Sequence, residues 1–488
     1  MTEDFTTALL EAHHDGVVVP ASLAGRPIAS QTRHLLTIDG SAVVVGVAND
    51  LVQTRMVQRT SAALEQLREI PETAWWPIFP RAADLVEEWL RAGRLEPLLA
   101  AASATSGLPV GRLVKGLRRV VEILRTIRRT LAAQAPGGDV RAYATGITNY
   151  SWALLPAGRN CLVRVPDNFP TIAVEWFQVI AARRPVIVNT SDGDVVLSAI
   201  LVAALYRSGI PPEALALVHG SAATAYRLAD QLIWPGEDVP AGAQTRAKTY
   251  HFGRSKALLA SGILTDDVAE RVTRLAFEGC GRLCTNVSSL VVLGGIVEAE
   301  AAASVLARHF SAIRSHDGWH SDSRVAAWAD RDIATTLVSM IKREVAAGAR
   351  DITAEVTGLP LIIETDGVVI LRPTVLLTNV GSPLFGTELP FPFTAVAPIG
   401  ADGLIPACAN SLIVSVLPTG DADSELLSRI LLEPTITKVF AGADFDRGYV
   451  PEDPQEGYLI DYLFQKKGIA GWALPPNRKE AHEPTTLA

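Results

Sequence analysis

Residues 277–292, FEGCGRLCTNVSSLVV, concentrate more reactive chemistry than any comparable stretch of this chain. A helix rich in charge runs into glycines, reaches Cys284 and then enters an apolar strand. A cysteine at such a junction can project into a cleft between two domains. There, nearby dipoles can lower its thiol pKa from the unperturbed ~8.5 and make it a nucleophile. The competing reading is a buried structural thiol, because free cysteine is among the most buried residue types. Cys280 stands four residues earlier and suggests a metal pair, but no second pair completes a zinc site, so no metal is expected. The run SHDGWHSDS, with His316, Asp317, His320 and Asp322, has metal-capable atoms but also the composition of an exposed loop, and it is read as a loop.

The elements that must position Cys284 are legible on either side of it. From Leu154 to Gly253, short β-rich runs alternate with helical runs, the pattern of a doubly wound α/β unit. CLVRVP, PVIVNT, ALALVHG and KTYHFG are its expected strands. The helix DVVLSAILVAALYRSG is stopped by Gly209 and kept stopped by Pro211. No GxGxxG opens any of these units, so the ordinary dinucleotide fingerprint is absent. A second α/β unit is expected from TDDVAERVTRLAFEGCG to about residue 430, with strands SSLVVLG, PLIIET, VVILRPTVLLTNV and NSLIVSVLP. The first 150 residues predict mixed structure followed by helices. In GRLVKGLRRVVEILRTIRRTLAAQ, Leu113, Leu117, Val120, Leu124, Ile127 and Leu131 form an apolar stripe. The arginines opposite suit a solvated surface or, alternatively, an acidic or phosphate-bearing partner. The expected organisation is a mixed, helical part over residues 1–150 that packs on a cofactor-binding unit at 151–262. A catalytic unit follows at 263–430, and a segment at 431–488 returns to the cofactor unit or to a neighbouring subunit.

Composition bounds the function class. With 488 residues, 48% of them hydrophobic and 20% charged, the chain can bury more than one core, and wholesale disorder is not expected. Lys plus Arg number 44 against 52 Asp plus Glu, a net charge of -8 that offers no general attraction for nucleic acid or an anionic membrane. The amino terminus lacks the basic start and apolar run of a secretory signal, and no apolar stretch approaches the ~20 residues that span a bilayer. A cytoplasmic protein is therefore expected. Its four cysteines are too few for a disulfide framework.

Over residues 150 to 420 the chain resembles the aldehyde dehydrogenase superfamily. Phe277, Gly281 and Cys284 hold the family's pattern of Phe, three residues, Gly, two residues, catalytic Cys. PDNFP, from Pro166 to Pro170, is similar to the Pro-Trp-Asn-Phe-Pro segment whose asparagine helps to form an oxyanion hole, so Asn168 inherits that role. RPTVLLTNV resembles the Pro-Thr-Val-Leu strand. GTELPFPFTAV resembles the Glu-x-Phe-Gly-Pro segment, whose glutamate holds the nicotinamide ribose, and Glu388 is the matching residue. The resemblance implies an α/β fold of two Rossmann-like domains with a small oligomerisation element. It further implies an NAD(P)H cofactor and a homodimer or homotetramer.

The departures from the family pattern fall on particular steps. Where the family has Lys-Pro-Ser-Glu, this chain has Asn189, Thr190, Ser191 and Asp192, so the lysine that contacts the adenosine ribose is missing. An acid at Asp192 can bond a ribose hydroxyl and repel a 2′-phosphate, which favours NADH and leaves NADPH open. Trp234 and Gly236, in IWPGED, stand nearest to the family's Phe-Thr-Gly-Ser turn. YHFGRSK places His251 where hydrolytic members carry the glutamate that activates water. An enzyme that passes its acyl group to a thiol needs no such water. With HFGRSK, GRLC and ELPFPF together, the chain resembles the fatty acyl-CoA reductases of bacterial bioluminescence.

This resemblance implies reduction of an acyl-CoA or carrier-bound acyl thioester to an aldehyde through a Cys284 acyl-enzyme, with Asn168 at the oxyanion and His251 carrying protons. His251 has a plainer reading as a residue that caps or fills the end of a sheet. Two other functions stay open: an aldehyde-oxidising, water-using dehydrogenase, and a non-catalytic scaffold that binds an acyl-transfer partner protein.

Overall fold

The computed structural model describes residues 4–11, 16–147, 152–236, 238–251, 253–260, 263–315, 319–418 and 424–468. His316 and Asp317 lie outside them. Two seven-stranded sheets dominate. The first runs Ala247–Tyr250, Gln231–Pro235, Cys161–Val165, Val186–Thr190, Leu215–His219, Ala21–Leu23, Arg26–Ile28. Its first five strands are parallel, and Ala21–Leu23 joins antiparallel to Leu215–His219. These central strands read as apolar runs because helices cover both of their faces. The helix Val195–Ser208 is buried almost all round and ends at Gly209 with φ +103°, the left-handed cap that its sequence predicts.

The amino-terminal region builds on this sheet. The segment RAADLVEEWLRAGRLEPLLAAA falls in two helices, Ile78–Arg91 and Glu96–Ser106, separated around Gly93 with φ +70°. Val110–Gln134 buries the six-residue stripe and packs on both Ile78–Arg91 and Val174–Ala181. On its polar face Arg119, Arg125 and Arg129 pair with Glu122, Asp84 and Glu452. That is the solvated-face reading.

The second sheet runs Arg350–Asp351, Thr374–Leu377, Phe393–Ile399, Ser289–Leu293, Lys256–Leu259, Ser411–Val416, Ile436–Ala441. All but the first strand are parallel. Two boundaries expected from sequence shift accordingly. Lys256–Leu259 belongs to the second sheet, so the chain crosses between the halves at residues 251–256 rather than after 262, and Ile436–Ala441 carries that sheet past 430. No turn dipeptide marks the crossing, and HFGRSKALL reads as one continuous run. Ile362–Thr365 is not in the main sheet. It pairs antiparallel with Val368–Leu371, which on its other side pairs antiparallel with Ala327–Trp328.

The carboxyl-terminal segment returns to the first half. Phe464–Gly468 pairs antiparallel with Trp152–Pro156, and Leu459, Ile460 and Leu463 enter the first core. No helix among the described residues is long and apolar enough to cross a membrane.

Candidate active site

A cavity of about 540 Å³ lies where the two halves meet. Its floor is the carboxyl end of the first sheet. Cys161–Val165 leads to Pro166 and Asn168, Gln231–Pro235 leads to Gly236, and Ala247–Tyr250 leads to His251. In a parallel α/β sheet this end is where ligands bind, because helix amino termini and short loops gather there. From the second half come Leu283, Cys284, Thr285 and Glu388, and from the carboxyl-terminal segment Tyr449, Gln455 and Glu456.

The cysteine loop is held by close backbone contacts. Gly281 has φ +80°, and a Cβ there would lie 2.3 Å from the Phe391 carbonyl carbon and the Pro392 nitrogen. No side chain fits, which is the physical reason for the glycine three residues before the cysteine. Gly253 is pressed equally hard from the other side: a Cβ there would meet the Cys284 carbonyl oxygen at 1.8 Å. Asn286 ties the loop together. Its Oδ1 accepts from the Leu283 N–H at 2.6 Å, and its Nδ2 donates to the carbonyls of Leu275 and Glu278. Ser255 Oγ donates to the Cys284 carbonyl at 2.8 Å. Cys280 is buried on the far side of this turn, with φ +58°, and does not line the cavity. Among the described residues no cluster could hold a metal ion.

Asn168 reaches the loop through its neighbours. Phe169 and Pro170 fit against the bare face of Gly116 on the helix Val110–Gln134, and Phe169 also lies against Gly279. The Asn168 turn is thereby clamped between the amino-terminal helix and the cysteine loop.

The electrostatics differ from what the junction alone suggests. The Cys284 thiol is pushed up to about 12, first by burial, then by the negative charges of Glu388 and Glu456, with Lys438 opposing. The resting group is a thiol, and the expectation of a depressed pKa is corrected: burial, reinforced by the neighbouring carboxylates, outweighs Lys438. Its partner is the Gln455 amide, whose Nε2 approaches Sγ to 3.5 Å while Oε1 accepts from Lys438 Nζ at 3.1 Å. Lys438 thus fixes which end of the amide faces the sulfur.

Glu388 is pushed up to about 7 by burial, offset by the backbone N–H groups of Gly253 and Arg254. The His251 N–H donates to both oxygens of Glu456 at 3.1 Å. Burial also raises Glu456, and it raises Glu175, which accepts from Tyr250 Oη at 2.5 Å.

The structure thus brings Cys284, Asn168, His251, Glu388 and Gly236 to one cavity. It does not bring Asn189, Asp192 and Trp234 there. Asn189 is fully buried; its Nδ2 donates to the Val218 and Gly220 carbonyls, and its Oδ1 accepts from Arg164 and Tyr226. With every donor and acceptor engaged, Asn189 has no capacity left for a ribose. Asp192 is paired with Arg33 from the strand Gln31–His34. Trp234 stacks edge-on against Tyr226 and donates to Asp238, while its neighbours Ile233 and Pro235 line the cavity.

Sequence reasoning missed Glu175, Tyr250, Lys438, Tyr449, Gln455 and Glu456. YVPEDPQEGY offers a polar, turn-rich stretch and no periodicity. Its one usable signal was density of acids and amides next to prolines.

In sequence, no family model and no curated protein matches this chain. In structure it aligns with an NAD-dependent aldehyde dehydrogenase from Sinorhizobium meliloti at TM-score 0.73 and 17% identity, over 95% of this chain and 97% of that one. An aldehyde dehydrogenase from Bacillus cereus, solved as an NAD+ complex, aligns at 0.72 and 15% identity over 92% and 95%. A 3,6-anhydro-L-galactose dehydrogenase in complex with NAP aligns at 0.72 and 15% identity over 92% and 99%. The chain has the aldehyde dehydrogenase fold.

Proposed function

We propose that this chain of aldehyde dehydrogenase fold is an NAD(P)H-dependent reductase that converts an acyl thioester, on CoA or a carrier protein, to an aldehyde. The observation that carries this reading is the convergence of Cys284, Asn168 and Glu388 on one cavity, with His251 at the position where hydrolytic members of the resembling family carry their glutamate. The cavity suits a nicotinamide nucleotide. It opens at the carboxyl ends of parallel strands, Gly236 lines it, and the Glu388 carboxylate is aimed by backbone N–H groups. Glu388 would hold the ribose, and the bound cofactor supplies hydride.

Cys284 sulfur attacks the thioester carbonyl, and the carrier sulfur leaves as a thiol with the proton that Cys284 gives up. The Asn168 amide and the Cys284 peptide N–H meet the oxyanion as fixed dipoles. After hydride addition, the thiohemiacetal breaks its C–S bond to give free aldehyde and the Cys284 thiolate. Gln455, oriented by Lys438, stabilises that sulfur, and His251 or Glu456 relays a proton to it from solvent, because the original thiol proton left with the carrier thiol.

A second reading has its own support. Glu456 and Glu175 place carboxylates in the cavity, and either could activate water for an aldehyde-oxidising enzyme. The experiment is to load the protein with a panel of acyl-CoA thioesters without NAD(P)H and follow intact mass. The expected result is an acyl adduct on Cys284 that persists in water and transfers to added thiol. Cys284→Ala abolishes the adduct, whereas Cys280→Ala, away from the cavity, retains it. Rapid release of free acid by the wild type overturns the reductase reading in favour of the second. A protein that takes up no acyl mass from any thioester is the scaffold alternative.

A further inference from the structure

A second cavity, of about 560 Å³, lies on the face of the second sheet covered by the helix Leu404–Cys408 and the loop 380–387. Arg254 and Lys256 both line it, together with Phe385, Ile399, Pro406 and Asn410, and no acid does. Lys256 is 4% exposed, and its ammonium donates only to neutral acceptors, the Ala409 carbonyl at 2.7 Å and Ser411 Oγ at 2.8 Å. No described carboxylate forms an ion pair with either cation. Arg254 lies exposed at the mouth, and its peptide N–H serves the other cavity by donating to Glu388 at 3.1 Å.

A buried ammonium without a counter-charge is costly, and proteins retain one where it meets an anion or does chemistry. Cys408, its nearest ionisable neighbour inside the fold, cannot balance it, since burial pushes that thiol up to about 11. Burial correspondingly brings Lys256 down to about 8. The third donor of its ammonium is left for a ligand, and the Arg254 guanidinium, though its charge also acts on Glu388, donates to no described residue.

The geometry points to a binding site for a small molecule that ends in a phosphate or carboxylate. The anionic group sits between Lys256 and Arg254, and an apolar body lies along Phe385, Ile399 and Pro406. A charge-assisted pair of this kind is selective for an oxyanion, and the apolar wall excludes a bare divalent cation. This site is separate from the Cys284 cavity, and it stands or falls without the reductase reading.

The probe is pyridoxal 5′-phosphate, an anion whose aldehyde condenses with a nearby lysine. The full-length protein is treated at pH 8, reduced with borohydride and mapped by peptide mass. Preferential labelling of Lys256 is expected over exposed lysines such as Lys115. Two competitors then separate the ligand classes: protection by inorganic pyrophosphate assigns a phosphate ligand, and protection by hexanoate assigns a carboxylate. Arg254→Gln, on an exposed side chain, should weaken labelling and competitor affinity by about 10-fold, the scale of losing one charge-assisted contact. Lys256→Met should remove saturable binding of the protecting anion in calorimetry. Labelling spread over surface lysines, no protection by either anion, or unchanged competitor affinity in Arg254→Gln overturns the site.

Discussion

The loop that carries Cys284 and the side chain of Asp192 are held in opposite ways. Around Cys284 the constraint is steric: Gly281 rests on the Phe391–Pro392 peptide, Gly253 rests on the Cys284 carbonyl, and Asn286 closes three hydrogen bonds inside the loop. The Asp192 side chain, by contrast, is held by one ion pair with Arg33, both side chains being about half exposed, although the backbone beside it is fixed too: a Cβ on Gly193 would meet Asp167 Oδ1 at 1.7 Å. A steric constraint admits few substitutions and fails abruptly. An exposed ion pair contributes ~0–1 kcal/mol and can be exchanged for another partner. The nucleophile end of the cavity is therefore a rigid part, and the Asp192–Arg33 pair, at the far end of the proposed nucleotide region, an adjustable contact.

The largest expected effect tests the rigid part. Gly281→Ala should abolish acyl-adduct formation and lower thermal stability, because its Cβ overlaps main-chain atoms that cannot rotate away. Gly242→Ala is the control. That residue has φ +78° and nothing within 4 Å of where an added methyl would sit, so it isolates the cost of the left-handed backbone, on the order of 1 kcal/mol, and should leave adduct formation intact. Equal losses in the two variants would mean that backbone strain, not contact with Phe391–Pro392, holds the loop.

Asn168 comes next. Asn168→Ala should lower turnover by ~100-fold or more with little change in cofactor affinity, the usual scale for losing one oxyanion donor. Unchanged turnover with chemistry rate-limiting would remove Asn168 from the reaction and leave it as part of the clamp on Phe169 and Pro170.

The same contrast explains what the sequence made legible. Sterically fixed positions such as Gly281 leave a local spacing, because only one residue type fits, and Phe277, Gly281 and Cys284 could be read together because that spacing resembles a family pattern. The alternating strands and helices of the first sheet were legible from periodicity alone. Residues fixed by distant partners leave no such trace. Nothing near Asn189 announces that Arg164 and Tyr226 will saturate its oxygen, and nothing near Gln455 announces Lys438. The carboxyl-terminal wall of the cavity escaped the same way. Its residues arrive through a turn-rich segment whose destination depends on the pairing of Phe464–Gly468 with Trp152–Pro156.

A smaller effect probes the electrostatics of the nucleophile end. With its thiol pushed up to about 12, alkylation of Cys284 by iodoacetamide in the cofactor-free protein should rise about tenfold per pH unit from 7 to 10 without a plateau. Glu456→Gln removes one of the charges that raise the thiol, and should speed alkylation at pH 8 by about 2- to 5-fold, a modest gain because burial is the larger cause. A plateau below pH 9 in the wild type would mean that Lys438 and Gln455 outweigh the carboxylates.

The smallest expected effect lies at the adjustable end and concerns cofactor choice. Asp192 is not on the cavity wall, but its carboxylate holds Arg33, whose guanidinium also lies 3.4 Å from where a Gly220 side chain would begin. While the pair is intact, the acid neutralises a nearby group suited to a 2′-phosphate, so NADH should be used at least as well as NADPH. Asp192→Ser frees Arg33, whose planar donors suit a phosphate, and should lower KM for NADPH by about 3- to 10-fold with KM for NADH little changed. Adding Arg33→Ser should cancel that gain, since no released cation remains. The readout is the ratio of kcat/KM for the two cofactors across wild type, the single variants and the pair. If Asp192→Ser and the double variant favour NADPH equally, removal of a repelling acid is sufficient and Arg33 takes no part. A strong preference of the wild type for NADPH would place the phosphate beyond the reach of this pair altogether.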